Sequence, residues 1–205
     1  MDVLEHAQSD APIAPSPREE SRAKRMKAAT QAAHEAIDTR IMAANPFASR
    51  ANYGRFVRLQ YRIHHAVDPL FRNPALAALL PDLAGRRRLD LVEQDAADLE
   101  TPLPTLDGHA EAPLQIAPAL GWLYVVEGSN LGAAFLLKAA AKLDLSESFG
   151  ARHLAGHPTG RGLHWRTFTA ALDAVPLSDA DEALAIAGAE AAFAMVGDQI
   201  RIEYP

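Results

Sequence analysis

From Ala119 to Leu143 the chain runs through its most apolar stretch, charged only at Glu127, Lys138 and Lys142. No proline breaks it, and no alternation of apolar and polar residues marks a strand. It reads as a single helix, apolar on most of its circumference, which is stable in water only when other elements cover it. Gly128 and Gly132 stand four apart within it and share one face. Each glycine in a helix interior costs about 1 kcal/mol relative to alanine, so the pair needs a compensating role. One role is close packing of another helix. The other is close approach of a flat ligand to the backbone, with a kink and accessible carbonyls as further consequences. Spacing alone does not choose between them.

The rest of the chain repeats the helical period. Ser16-Pro17 supplies an N-cap and a proline at the first helical position, with Glu19 and Glu20 in the first turn. Met26, Ala29, Ala33, Ile37 and Ile41 then recur three and four apart until Asn45-Pro46 ends the helix. Ser49 caps a second helix whose apolar face includes Tyr53, Phe56, Val57, Tyr61 and Ile63, running to Pro69. A short piece spans Ala75 to Leu80, and a further helix Leu83 to Leu99. Residues 101–118 form a loop marked by Pro102, Pro104, Pro113 and Pro118. After the apolar helix, Gly150 to Gly162 is a second loop, followed by a helix around Trp165 to Leu172. Ser178 and Asp181 cap a last, Ala-rich helix reaching Ile202. No internal repeat and no sustained β alternation is present. The expectation is an all-α single domain over residues 16–205, after a flexible tail at residues 1–15. A chain of 205 residues is long enough for one well-buried core and too short for two.

Composition narrows the chemistry. The chain has no cysteine, which excludes disulfides, thiolate-ligated haem, iron–sulfur clusters and cysteine nucleophiles. A net charge of −6 argues against general affinity for nucleic acid or anionic membranes. The first twenty residues lack the apolar core of a signal peptide, and no apolar run is taken to reach the length of a membrane span. A cytoplasmic protein is therefore expected.

His34 lies one residue off the apolar stripe of the first helix, in Lys27-Ala-Ala-Thr-Gln-Ala-Ala-His34-Glu-Ala-Ile-Asp38. A lone histidine beside an apolar face is commonly a boundary residue of the core. Here alanines leave room beside it. Asp38, four residues on, is placed to accept one ring N–H and fix the tautomer of a metal-bound imidazole.

The pairing of KAATQAAHEAID with ALGWLYVVEGSNLGAAFLLK resembles the bacterial haem oxygenases. So do NPFASRANYGRFVRLQY, the FGARHL stretch and GRGLHWRTF, and the likeness covers residues 20 to 200. The resemblance implies a helical bundle holding haem between a proximal helix and a Gly-kinked distal helix. It implies that His34 is the proximal ligand of the haem iron, and that Gly128, Ser129 and Gly132 bring the distal backbone close to the oxygen-binding side. Lys27 and Tyr124 match contacts to the haem propionates. Gln60, His64 and Arg88 match a distal hydrogen-bond network through water. Lys27 also belongs to a basic run with Arg18, Arg22, Lys24 and Arg25 that has a plain reading as a solvated face. His65, His153, His157 and His164 are left as structural or exposed.

The implied reaction is oxidative opening of haem b, both substrate and cofactor, to biliverdin IXα with release of iron and carbon monoxide. A histidine ligand suits this better than a thiolate, whose electron push favours O–O cleavage. Dioxygen and external electrons are required, because no nucleotide-binding glycine motif follows a strand. A ferredoxin or flavoprotein reductase is the implied partner, docking where the basic run meets an acidic surface. The protein is taken as a monomer serving iron acquisition or bilin supply. Two other readings compete: a haem carrier or sensor on the same scaffold, and a helical interaction module with a GxxxG seam that binds no haem.

Overall fold

A computed structural model of the chain describes residues 21–106, 112–113 and 115–205. The tail over residues 1–15 and the cap at Ser16-Pro17 lie outside the described residues. Among the described residues seven α-helices follow one another: α1 Arg22–Ala43, α2 Arg50–Phe71, α3 Pro74–Ala77, α4 Leu89–Asp98, α5 Ile116–Ala141, α6 Arg161–Ala174 and α7 Asp179–Glu203. Short 3-10 turns at Ala84–Arg86 and Arg152–Leu154 complete the path, and among the described residues there is no strand.

The caps explain most of the helix starts. The Ser21, Ser49 and Ser178 hydroxyls accept from Lys24, Asn52 and Asp181 backbone N–H groups. Asn73 does the same for α3, with Pro74 in its first turn. Asp179, Asp181 and Glu182 place negative charge at the positive end of α7. Several boundaries depart from the sequence pattern: α1 starts at Arg22 on a Ser21 cap, and α2 carries Pro69 inside it and runs on to Phe71. The expected helix over Leu83–Leu99 is split, because Arg87 is extended and Arg86 turns into the interior. The short piece ends at Ala77 rather than Leu80. The 101–118 loop stops at Gln115, since Pro118 sits in the first turn of α5, where no backbone donor is required.

The centre of the fold is the crossing of α5 and α7. A Cβ added at Gly121 would land on the backbone of Ala185 and Ala189, and one added at Gly188 would land on the backbone of Pro118. These glycines let the two backbones touch. Around the crossing, Met26, Leu59, Leu120, Leu123, Phe168 and Leu172 form the main core, all essentially free of solvent. A second cluster built on Tyr53, Phe56, Val57, Val92 and Leu145 lies on the other side of α2.

By length and composition alone α5 and α7 are apolar enough to cross a membrane, which corrects the expectation that no run approaches that length. Here their apolar faces meet each other. Charges fix the ends: Arg22 pairs with Glu182 at 2.7 Å and donates to the Val175 carbonyl, tying the start of α1 to the α6–α7 corner. At the far end Arg58 pairs with Glu203 at 2.5 Å, joining α2 to the end of α7.

Replacing Gly188 with Ala drives a Cβ into the Pro118 backbone. The expected result is a loss of roughly 1–3 kcal/mol in unfolding free energy, read from urea denaturation. An unchanged midpoint would show that the crossing relaxes freely.

Candidate functional site

Beyond Thr30, the first helix has little to bury. Ala28, Ala29, Ala32 and Ala36 are exposed, and the His34 side chain is 59% exposed. Its Nδ1 lies 3.2 Å from Asp38 Oδ2, as the i,i+4 spacing requires. Its ring meets the Phe193 ring of α7 edge-on at 5.9 Å. With Nδ1 facing Asp38 and the ring against Phe193, Nε2 is the nitrogen that could take a metal. The basic run divides. Arg22 and Arg25 are both engaged with Glu182, while Lys24 and Lys27 are exposed.

On α5 the two candidate glycines are not a packing seam. A Cβ at Gly132 would meet nothing within 4 Å, and one at Gly128 would meet only the Trp165 ring, at 3.6 Å. Their neighbours Leu131 and Phe135 are exposed, Phe135 to 76%. An apolar face with open backbone suits a flat apolar ligand. Ser129 Oγ donates to the Val126 carbonyl at 2.7 Å, so its proton is turned back into the helix. Tyr124 is half-buried against Trp165, ring centroids 5.6 Å apart, and burial raises its hydroxyl pKa.

The three residues matched to a distal network are distributed unevenly. His64 is buried on α2, and burial, with His153 and Arg88 adding to it, pushes its pKa down to about 3. Arg88 donates to the carbonyls of His153 and Ala155 at 2.8 and 3.1 Å, holding the loop before α6. Gln60 is half-buried, and among the described residues no direct hydrogen bond joins it to His64 or Arg88.

Several polar residues that the sequence pattern did not single out gather beside Gly128. Glu127 is buried and pairs through Oε2 with the buried Arg86 at 2.7 Å. Burial raises its carboxyl pKa against the opposing pull of Arg86. Arg86 also donates to the His164 carbonyl at 3.3 Å. Arg88, Glu127, Asn130, Arg161, His164 and Trp165 are among the residues lining a cavity of about 10 Å³, roughly the room one water needs. Arg88 Nε, Glu127 Oε1 and His164 Nε2 are buried without hydrogen-bond partners.

His153, expected to be structural, is so. It is buried, with its backbone N–H and Nδ1 both on Asp95, at 2.9 and 2.7 Å. His164 is not simply structural: it faces the cavity, and burial and Arg86 lower its pKa to about 4. The one signal for this cluster was Glu127, a lone acid inside an apolar helix.

Known proteins agree on what this arrangement resembles. A family model described as heme oxygenase matches residues 20–201. Heme oxygenase PigA of Pseudomonas aeruginosa is 48% identical over 184 residues, spanning 89% of this chain and 93% of that protein. A heme oxygenase of Neisseria meningitidis, solved with NO and CO bound, superposes with a TM-score of 0.84 at 45% identity. The match covers 89% of this chain and 92% of that one. A heme oxygenase of Leptospira interrogans, at 16% identity and a TM-score of 0.68, shares the fold.

Two expectations test the site. Gly132→Ala should leave the haem-free protein as stable or more stable by about 0.5–1 kcal/mol, while weakening hemin binding or turnover. A variant that binds and turns over normally would show that the open face at Gly132 is unused. For His64 the folded pKa lies below the unfolded 6.5. From pH 6.5 downward the unfolded chain therefore takes up a proton that the folded chain refuses. Stability should fall on acidification by up to about 1.4 kcal/mol per pH unit from this group. Denaturant unfolding at pH 7 and pH 5 should show a smaller drop in His64→Gln than in the parent.

Proposed function

The chain belongs to the haem oxygenase family and is an enzyme that opens haem to biliverdin; on that premise we propose that His34 binds the haem iron and that the open face of α5 covers the other side of the ring. The observation that carries this is the match of two features. An imidazole is oriented through Nδ1 and left open at Nε2. A helix face at Gly132 has no atom within 4 Å of an added Cβ. Membership of the family displaces the carrier and interaction-module readings.

Haem is the substrate, and its iron supplies the oxygen chemistry when bound. What the chain contributes is position and exclusion. Asp38 accepts the Nδ1 proton of His34, which fixes the tautomer and raises the basicity of Nε2. Gly128 and Gly132 bring backbone, rather than side chains, over the ring. Ser129, with its proton committed to Val126, leaves that face without a side-chain acid. His64 stays uncharged at neutral pH, so it serves the network with Gln60 and Arg88 as a neutral hydrogen-bonding group. Protons then reach the site through water rather than from a charged histidine.

Lys27 and Tyr124 seat the propionates along one edge, which directs opening to the α-meso carbon and gives biliverdin IXα. Lys27 supplies an exposed ammonium, and Tyr124 a phenol that burial keeps protonated as a donor. Electrons come from a ferredoxin or flavoprotein reductase. Because Arg22 and Arg25 are engaged with Glu182 and Lys27 is given to a propionate, Lys24 is, among the described residues of the basic run, the cation left to meet an acidic donor. The enzyme acts in the cytoplasm as a monomer, in iron acquisition from haem or in bilin supply.

The test is an absorbance time course of the protein with hemin and ascorbate, repeated with a ferredoxin system. The Soret band should give way to a biliverdin band in the parent and persist in His34→Ala. Product chromatography should show the α isomer, with other isomers appearing in the Lys27→Met, Tyr124→Phe double variant. Turnover that survives in His34→Ala would remove the ligand assignment, and a β or δ product from the parent would remove the seating.

A further inference from the structure

Two imidazoles and a carboxylate from three separate segments converge at the edge of α5, and no step assigned above uses them together. Asp82 belongs to the turn after α3, His157 to the loop before α6, and His164 to the first turn of α6. One nitrogen from each ring and one Asp82 oxygen all lie within 4.8 Å of one another. The rings stack with centroids 4.1 Å apart and planes 8° apart, presenting their edges side by side. His164 Nε2 is buried without a hydrogen-bond partner and stands 3.9 Å from Asp82 Oδ2, too far for a hydrogen bond. His157 Nδ1 lies 2.8 Å from Thr159 Oγ1 and accepts from the Thr159 backbone N–H at 3.2 Å, so Thr159 orients this ring through Nδ1.

We propose that Asp82, His157 and His164 bind a divalent first-row transition-metal cation, with its remaining positions open to water, and that during turnover this site receives the ferrous iron that leaves the haem. The second half rests on the haem-opening function, since biliverdin holds no metal and the iron of each haem must depart as an ion. Two imidazoles and one carboxylate with open positions are a ligand set suited to Fe2+. Binding involves no redox step: the ion exchanges waters for two nitrogen lone pairs and a carboxylate oxygen.

Metal–ligand bonds of about 2.0–2.2 Å require the three donors to draw closer than they stand. Asp82, with its side chain 57% exposed, has the freedom to close that gap. The local charge limits how tightly a cation is held. Arg86 is paired directly with Glu127, while Arg88 and Arg161 point their N–H groups at backbone carbonyls and have no carboxylate in direct contact. Their field opposes a cation, so the site binds weakly enough to release what it receives.

The experiment titrates the haem-free full chain with Co2+, followed by calorimetry and visible absorption, in a His34→Ala background that removes the exposed His34–Asp38 pair. One Co2+ per chain with a micromolar dissociation constant is expected. Asp82→Asn and His157→Gln should each weaken binding by about tenfold or more, and His164→Gln should abolish it. Asp82 is exposed, so Asp82→Asn decides the matter if a histidine variant fails to fold. No Co2+ uptake at millimolar concentration, or an affinity in Asp82→Asn and His157→Gln unchanged from that of the His34→Ala background, overturns the site.

The transfer is read separately, by single turnover of haem in Asp82→Asn with a ferrous chelator present. Faster iron capture at an unchanged rate of biliverdin formation supports the transfer, and identical capture overturns it. Failure of haem opening itself would leave the Co2+ result standing.

Discussion

The contact between the backbones of α5 and α7 is the constraint on which the other placements depend. Gly121 and Gly188 face one another's helix where no side chain fits, and the crossing point is thereby fixed along both axes. From that point α7 reaches out to α1, where Phe193 meets the His34 ring. α5 itself runs on to Gly128 and Gly132. The two faces proposed to hold haem are thus referred to one seam. A substrate held between two helices needs their separation set to within a fraction of an ångström. Backbone contact does this more rigidly than interdigitated side chains, which have rotamers to exchange.

Charge is used in two opposite ways on the two sides. On α1 the functional carboxylate is exposed: Asp38 sits in solvent, where it orients His34 at little desolvation cost. On α5 the carboxylate is buried. Glu127 and Arg86 each expose 2% or less of their side chains, and such a pair returns little net stability once desolvation is counted. What the pair supplies is location, since Arg86 also reaches the His164 carbonyl and so ties the 84–86 turn, α5 and α6 together beside Gly128. Removing either partner would strand a charge in the interior, which makes the geometry hard to lose by small steps.

The helical class, the caps at Ser49 and Ser178, and the apolar core helix were legible because each follows from local pattern. The His34–Asp38 contact was legible for the same reason: both ends lie on one helix, four apart. What escaped were features created by long-range approach. Arg86 reads as one of three consecutive arginines in a polar segment, and nothing local says that it alone turns inward to Glu127. His157 and His164 become neighbours only when the loop before α6 folds back. The basic run was half misjudged, because Glu182, more than 150 residues away, takes up Arg22 and Arg25.

The glycines show most clearly why spacing is an ambiguous signal. Gly128 and Gly132 have the four-residue interval associated with helix packing, yet Gly132 packs against nothing. Gly121 and Gly188 have no such interval, lie on different helices, and make the tightest crossing in the fold. A glycine pair on one helix reports a smooth face but not what lies against it. The discriminating quantity is what an added methyl group would strike, and that depends on the partner's backbone. Where it strikes the protein's own chain, the glycine serves folding. Where it strikes nothing, in a helix that loses about 1 kcal/mol for each one, the thinned face is open to a molecule from outside, as proposed for Gly132.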